Sequence, residues 1–338
     1  MGVFPSARFV RSRLHLAGRQ RTKPPGQTTS DRPADISQMG TQQENHELAL
    51  NFALKSHPGR IRPLNEDAVG ADPAIGLFIL ADGLGGYNAG EVASTMTVSM
   101  LLSDLGVQLA RANGGPDAFD PTEALRNALV AMNSAIFRAA LHSSAYEGMA
   151  TTVVIAWFLG GRLWVAHAGD SRLYRLRDGV LEQITRDHSF SQELVDAGMV
   201  SAEEARVLPA KNLVTKALGA TPELEPEVHD YDVQPGDIVL MCSDGLTEMV
   251  SHLEIGGLIT GCGCDVVESA RRLIDLANEA GGRDNTSVIL VRVGAPEAAL
   301  DAAVQEEQAE GADAHQGEAA GEDAEREDLL PVVDRLLH

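Results

Sequence analysis

Ile75-Gly76-Leu77-Phe78-Ile79-Leu80-Ala81-Asp82-Gly83-Leu84-Gly85-Gly86 runs from an apolar segment into a carboxylate and then a glycine-rich turn. Residues 75–81 read as a buried strand, which predicts Asp82 at a strand end where a folded sheet can present it. Four other short segments set a carboxylate beside a glycine, an asparagine or a turn: Asn65-Glu66-Asp67, Gly169-Asp170-Ser171-Arg172, Ser243-Asp244-Gly245 and Arg283-Asp284-Asn285. Several directly follow apolar runs, so a sheet could converge their aspartates into one acidic pocket. Such a pocket needs divalent cations, because buried carboxylates are costly unless paired or bound to metal. A lone Asp-Gly is usually a turn; five such segments in one chain are a different signal.

The surrounding pattern supplies the sheets. Residues 49–55 alternate like a half-buried strand. Residues 89–109 and 121–142 read as helices, the second opening on Pro121, which the first turn of a helix tolerates. Residues 151–159, 162–168 and 172–176 are short apolar or alternating runs separated by Gly160-Gly161 and Gly169-Asp170, which predicts a meander of antiparallel hairpins, with Arg177-Asp178-Gly179 as the next turn. A polar helical stretch covers 190–208, and 238–241 and 287–293 supply further strands. Residues 266–280 form an amphipathic helix with Val266, Ala270, Leu273, Ile274 and Ala277 on one face. Strands and helices in clusters, not in strict alternation, indicate an α+β layered fold.

With 338 residues, 44% hydrophobic and 22% charged, the chain can bury a substantial core as one large domain or two modest ones. No run approaches the roughly 18 uninterrupted apolar residues of a membrane span, so no membrane partner is expected. The net charge of -22 is uneven. Residues 1–45 open with a basic stretch lacking any helical or strand period, and 296–338 are dominated by Asp and Glu interleaved with Ala, Gly and Gln. Both read as disordered flanks of a central domain, 46–295, that is itself acidic. That balance disfavours nucleic acid, whose phosphates an acidic surface repels. The tail is read as a solubilising extension, with Leu329-Leu330-Pro331-Val332-Val333 as an alternative partner-binding tip. Met1-Gly2-Val3-Phe4-Pro5-Ser6 formally fits a myristoylation pattern and the leader's arginines a transit peptide, but the expectation is an unstructured leader or a misassigned one, with Met39 as a second possible start. Three cysteines, Cys242, Cys262 and Cys264, form no disulfide framework and point to a reducing cytoplasm. Cys262 and Cys264 lack a second Cys or His pair for zinc.

Hard oxygen donors with few histidines or thiols suit Mg2+ or Mn2+. Calcium loops pack their ligands within about a dozen residues, whereas these carboxylates are spread along the chain. The ordered series Arg62…Asn65-Glu66-Asp67, Ala81-Asp82-Gly83-Leu84-Gly85-Gly86, Gly90-Glu91-Val92-Ala93-Ser94, Thr151-Thr152, Ala168-Gly169-Asp170-Ser171-Arg172, Cys242-Ser243-Asp244-Gly245-Leu246 and Asp284-Asn285-Thr286-Ser287-Val288 resembles the bacterial metal-dependent serine/threonine phosphatases of the protein phosphatase 2C family. The likeness covers about residues 48–293.

That resemblance implies a four-layer α-β-β-α sandwich of two central antiparallel sheets flanked by helices, with a binuclear Mn2+ or Mg2+ centre at one edge. It implies that Asp82 bridges both ions, that the Gly83 carbonyl binds one, and that Asp244 and Asp284 bind the other. Glu66 and Asp67 would act mainly through metal-bound waters, and Asn285 would orient its neighbours. Asp170 matches a position holding a third, weaker ion, and Asn212 falls near a flap contact in the 188–218 segment. The implied partners are phosphoserine and phosphothreonine proteins, with a cognate serine/threonine kinase acting on the same signalling targets, and the protein is expected to be a monomer. A pseudophosphatase that only binds phosphoproteins is the rival reading; the intact set of Asp82, Asp170, Asp244 and Asp284 argues against it.

The mechanism so implied is in-line attack on phosphorus by a hydroxide shared between two ions, since two cations lower the pKa of a shared water. Arg62, just upstream of the first carboxylates, is suited to bidentate contact with phosphate oxygens, its alternative being a surface ion pair. Many family members carry a histidine shortly after the Asp-Gly pair; here Leu84 and Tyr87 occupy that segment. A phenol of unperturbed pKa near 10 is a poor acid at neutral pH. Tyr87 is therefore expected to position by hydrogen bonding, and Tyr87→Phe should cost far less Mn2+-dependent hydrolysis of a phosphothreonine peptide than Asp82→Asn. Equal losses would overturn that role.

Overall fold

Runs that are apolar at every position need partners on both faces of a sheet, and the architecture supplies them. The computed structural model describes residues 48–85, 89–112, 119–205, 207–208 and 213–295. The expected basic leader and acidic tail lie outside the described residues. One sheet joins β1 (Leu50–His57), β11 (Thr286–Val293), β10 (Ile238–Cys242), β7 (Arg172–Arg177) and β8 (Val180–Gln183), in that spatial order. The other joins β2 (Asp67–Asp72), β3 (Leu77–Leu84), β5 (Val153–Leu159), β6 (Arg162–Ala168) and β9 (Glu227–Asp232), with the short β4 (Ala150–Thr151) paired to the end of β3. Every pairing is antiparallel.

The period-two alternation of strand side chains divides each buried run between two cores. From β3, Phe78 and Leu80 face the other sheet with Val154 and Ala156 of β5, Met241 of β10 and Ile289 of β11. Leu77, Ile79 and Ala81 face outward under α1 (Ala89–Arg111) and α2 (Pro121–His142), which cover them with Leu101, Leu105, Leu125 and Leu129. The other outer face, including Leu240 and Leu290, packs under α5 (Asp244–Thr247), α6 (His252–Gly261) and α7 (Val266–Glu279). Four layers result. Phe52 and Phe158 meet Phe78 edge-on at centroid distances of 5.3 and 5.9 Å, so aromatic contacts connect strands across the inter-sheet core.

The helices start where local chemistry satisfies their first amides. Asp120 accepts from the N–H groups of Thr122 and Glu123 ahead of Pro121, and Asp265 does the same for Val267 and Glu268. Ser251 and Glu254 form a reciprocal capping box on α6. By length and composition alone α1 could cross a membrane, but one of its faces is packed on the sheet.

Several expectations change. The 75–81 strand begins at Leu77, after a short 3-10 turn, and continues to Leu84, so Asp82 lies within the strand and not at its end. The strand expected over 151–159 breaks at Thr152 into β4 and β5. The expected meander breaks at Gly169-Asp170: β6 belongs to one sheet and β7 to the other, because the chain crosses between layers there. The polar stretch 190–208 is not one helix; α3 (Phe190–Asp196) ends near Gly198, at φ 67°, and α4 (Ala202–Ala205) is a separate turn. β2, β8, β9 and α6 escaped notice, β2 and β9 because their sequences, DAVGAD and EVHDYD, are too polar or too small to carry an apolar signal.

Leu273 on α7 has no exposed surface. Leu273→Ala should lower unfolding stability by about 2–5 kcal/mol, read by urea denaturation, whereas Leu253→Ala, at a side chain 85% exposed, should change it by less than about 0.5 kcal/mol.

Candidate metal centre

Both sheets present the same end at the place where the chain passes between them. His57 stands opposite Thr286 on β1 and β11, Cys242 of β10 lies between Val288 of β11 and Arg172 of β7, and Asp67 stands opposite Asp82 on β2 and β3. Around this end Glu66 precedes β2, Asp170 sits in the β6–β7 crossing, Asp244 opens α5 directly after β10, and Asp284 closes the approach to β11. The five sequence segments therefore meet at one edge.

The backbone there is held more tightly than the carboxylates. Thr152 receives the Asp82 N–H on its Oγ1 (3.0 Å) and returns its own N–H to the Asp82 carbonyl (2.8 Å), which Thr151 Oγ1 also contacts at 2.7 Å. Asn285 gathers three segments: its Oδ1 accepts from Glu66 N–H (2.8 Å), and its Nδ2 donates to the carbonyls of Pro58 (3.0 Å) and Leu64 (2.8 Å). These contacts tie the segments before β2 and β11 together. The glycines of the motifs act by close approach. A Cβ at Gly83 would lie 2.2 Å from the Gly90 carbonyl oxygen, and one at Gly245 would lie 1.9 Å from that of Asn285. At both positions there is no space for a side chain.

Electrostatically the edge is strained. Burial, then repulsion from Asp67, Asp244, Asp170 and Asp284, pushes the Asp82 carboxyl well above the usual range. Burial followed by Asp170 does the same to Asp244. Burial raises Asp67 to about 6 and, with Asp187 next in effect, raises Asp170 to about 6; burial also raises Glu66. Asp67 Oδ2 accepts from Ser243 Oγ at 2.8 Å, but its Oδ1 is buried without a hydrogen-bond partner. A buried carboxylate oxygen with no donor, among neighbours of like charge, fits a bound cation. The donors are oxygens, which matches magnesium or manganese better than zinc or copper.

Arg62 lies at the rim, half exposed, with Nη2 2.7 Å from Asp284 Oδ2. The arginine expected to bind phosphate is here ion-paired with a carboxylate of the pocket, the alternative contact weighed for it. Tyr87 and Asn212 lie outside the described residues. A cleft of about 910 Å3 opens from Asp170 and Asp244 and runs between α3 and the start of α6, past Ser189, Gln192 and Leu253. Sequence reasoning missed Ser243 as the donor to Asp67, and Arg172, which binds both oxygens of Asp187 beside the cleft at 2.6–3.0 Å. Cys242 offers no nucleophile: burial pushes its thiol up to about 12.

Comparison with known proteins bears on this edge. The family model for protein phosphatase 2C matches residues 62–285. The serine/threonine protein phosphatase PstP of Mycobacterium tuberculosis is 41% identical over 246 residues, which cover 73% of this chain and 45% of PstP. The chain thus spans about half the length of that relative. Protein phosphatase PhpP of Streptococcus pneumoniae is 35% identical over 250 residues, covering 72% of this chain and 97% of PhpP. The crystal structure of the PstP catalytic domain in complex with two manganese ions superposes with a TM-score of 0.63 at 40% identity, covering 73% of this chain and all of that one.

Carboxyls whose folded pKa is raised to about 6 bind more protons folded than unfolded, so without cations their contribution to stability falls as pH rises from about 4 through 6. Cations bind the ionised forms. Added Mn2+ should therefore raise the melting temperature more at pH 7.5 than at pH 5 in scanning calorimetry; equal gains would contradict a carboxylate centre.

Proposed function

The chain belongs to the protein phosphatase 2C family, and on that footing we propose that it hydrolyses phosphoserine and phosphothreonine in proteins at the acidic edge. The observation that carries this reading is the convergence of Asp67, Asp82, Asp170, Asp244 and Asp284 on a site where Asp67 Oδ1 lacks a partner. Asp82, Gly83, Asp244 and Asp284, with Glu66 and Asp67 behind them, would hold two Mn2+ or Mg2+ ions, and Asp170 a third and weaker one. Bound there, such cations supply Lewis acidity and a nucleophile at neutral pH.

The chain's own residues do the remaining work. Arg62 carries a guanidinium at the rim, where it can exchange part of its contact with Asp284 for oxygens of an arriving phosphate. Thr151, Thr152 and Asn285 fix the backbones of Asp82 and Glu66, so that the pocket does not spread under its own charge. The cleft beside Asp170 and Asp244 has room for the polypeptide flanking a phosphorylated side chain. Tyr87, which lies outside the described residues, is assigned a hydrogen-bonding role on its chemistry alone. The relatives' names as serine/threonine phosphatases support the substrate class, and their bacterial sources support a bacterial signalling role opposite a serine/threonine kinase. Sparse, free cysteines support work in a reducing cytoplasm.

The full chain should hydrolyse a phosphothreonine peptide and p-nitrophenyl phosphate only when Mn2+ or Mg2+ is supplied. Asp82→Asn should lower kcat/KM by more than about a hundredfold, beyond the usual effect of a supporting residue. Arg62→Ala should cost about tenfold to a hundredfold, mostly through KM, as loss of a charged hydrogen bond does. Correctly folded protein with no turnover in either metal would sink the reading.

A further inference from the structure

The loop that carries Asp170 is gripped by a histidine outside the acidic pocket. His188 donates its backbone N–H to the Gly169 carbonyl (2.9 Å), and the Gly169 N–H donates back to His188 Nδ1 (3.1 Å). An imidazole nitrogen that accepts from an amide carries no proton, so in the neutral ring the proton sits on Nε2 and donates to Glu227 Oε1 at 2.9 Å. His167 stacks on that ring with centroids 4.7 Å apart and planes 1° from parallel, and its own Nε2 lies 2.9 Å from the Arg186 carbonyl oxygen. Both histidines are buried. Gly169, Glu227 and His167 thus set the ring plane and tautomer from three sides.

His167, His188 and Glu227 bring possible ligand atoms within 4.8 Å of one another. A cation there would need a second lone pair on His188, which a neutral ring already accepting an amide does not have. Parallel stacked rings also aim their in-plane lone pairs side by side and not at one point. The trio is built to hold a peptide.

That peptide is also confined sterically. Gly169 sits at φ 117°, and a Cβ there would come within 2.6 Å of the Thr152 side chain, so only glycine fits. Thr152 in turn holds the Asp82 backbone and meets Ser171 Oγ at 2.7 Å. On the opposite side His188 accepts the Thr215 N–H at 2.8 Å, its neighbour Phe190 donates to Leu213 at 2.8 Å, and Lys216 Nζ stands 3.8 Å from Glu227. We propose that His188 is a positioning residue: with its tautomer fixed by Glu227, it clamps the Gly169 peptide from both sides, sets where Asp170 presents its carboxylate, and ties that loop to residues 213–216. This rests on Asp170 serving as a metal ligand, as proposed above.

Asparagine at 188 keeps an acceptor near the place of Nδ1, whereas glutamine keeps a donor near the place of Nε2. Titration calorimetry of the full chain with Mn2+, and hydrogen exchange at the Gly169 amide by NMR, separate the two contacts without reference to turnover. His188→Gln should weaken the weakest Mn2+ step by about tenfold to a hundredfold, as loss of a ligand's supporting partner does, and speed Gly169 exchange; His188→Asn should shift both less. Glu227→Ala, at a side chain 38% exposed, tests the same chain of contacts without disturbing the core, and Glu227→Gln, which retains an oxygen acceptor, should restore it. An unchanged weak step and unchanged exchange in His188→Gln and Glu227→Ala would overturn the proposal, as would an equal loss in every Mn2+ step. Asp170→Asn keeps the two readings apart. If it leaves the isotherm intact, the metal role of Asp170 and this proposal both fall; if it removes the weak step while His188→Gln does not, only the positioning role falls.

Discussion

Carboxylates gathered at one edge resist ionisation in each other's company, and a fold that keeps them there must restrain their backbones against that repulsion. The chain does so with neutral hydrogen bonds that carry no charge of their own into the pocket. Thr152 brackets Asp82, Ser243 reaches Asp67, and Asn285 pulls the segments before β2 and β11 onto one another. None of these would hold on a mobile support. They are anchored in strands whose apolar side chains are committed to two cores at once, so a shift of any strand would disturb packing on both of its faces.

The layered fold was legible in the sequence where burial on both faces left continuous apolar runs, as in β3, β5, β10 and β11, and where Pro121 marked the start of α2 and a one-sided apolar face marked α7. It was illegible where position and not composition makes the strand. β2 is an edge strand of small and acidic residues, and nothing in its pattern marks it until Asp67 is seen opposite Asp82. The crossing at Gly169-Asp170 looked like one more hairpin turn, because a turn between two strands reads the same whether they pair or part.

The carboxylates of the site were legible for a related reason: each sits beside a glycine or an asparagine that the close approach of other segments demands. What could not be read were residues whose work is done through distant partners. His188 and Glu227 are 39 positions apart, and their link to Gly169 exists only once β6, β9 and the start of α3 have come together. Ser243 lay inside a recognised motif, yet its donation to Asp67 spans 176 positions. Short-range pattern cannot convey such pairings.

The division of the acidic residues between the two sheets has a mechanical consequence. Asp67 and Asp82 belong to one sheet, while Asp244 and Asp284 are attached to the other. An ion shared across that boundary is a cross-link between strands far apart in the chain, in a protein whose described cysteines are all free. Because its ligands converge only in the folded chain, it would stabilise the sandwich by linkage and not by restricting the unfolded chain as a disulfide does, and it could be withdrawn by a chelator. The two halves of the sandwich would then be fastened at the acidic edge by a link that can be undone without breaking a covalent bond.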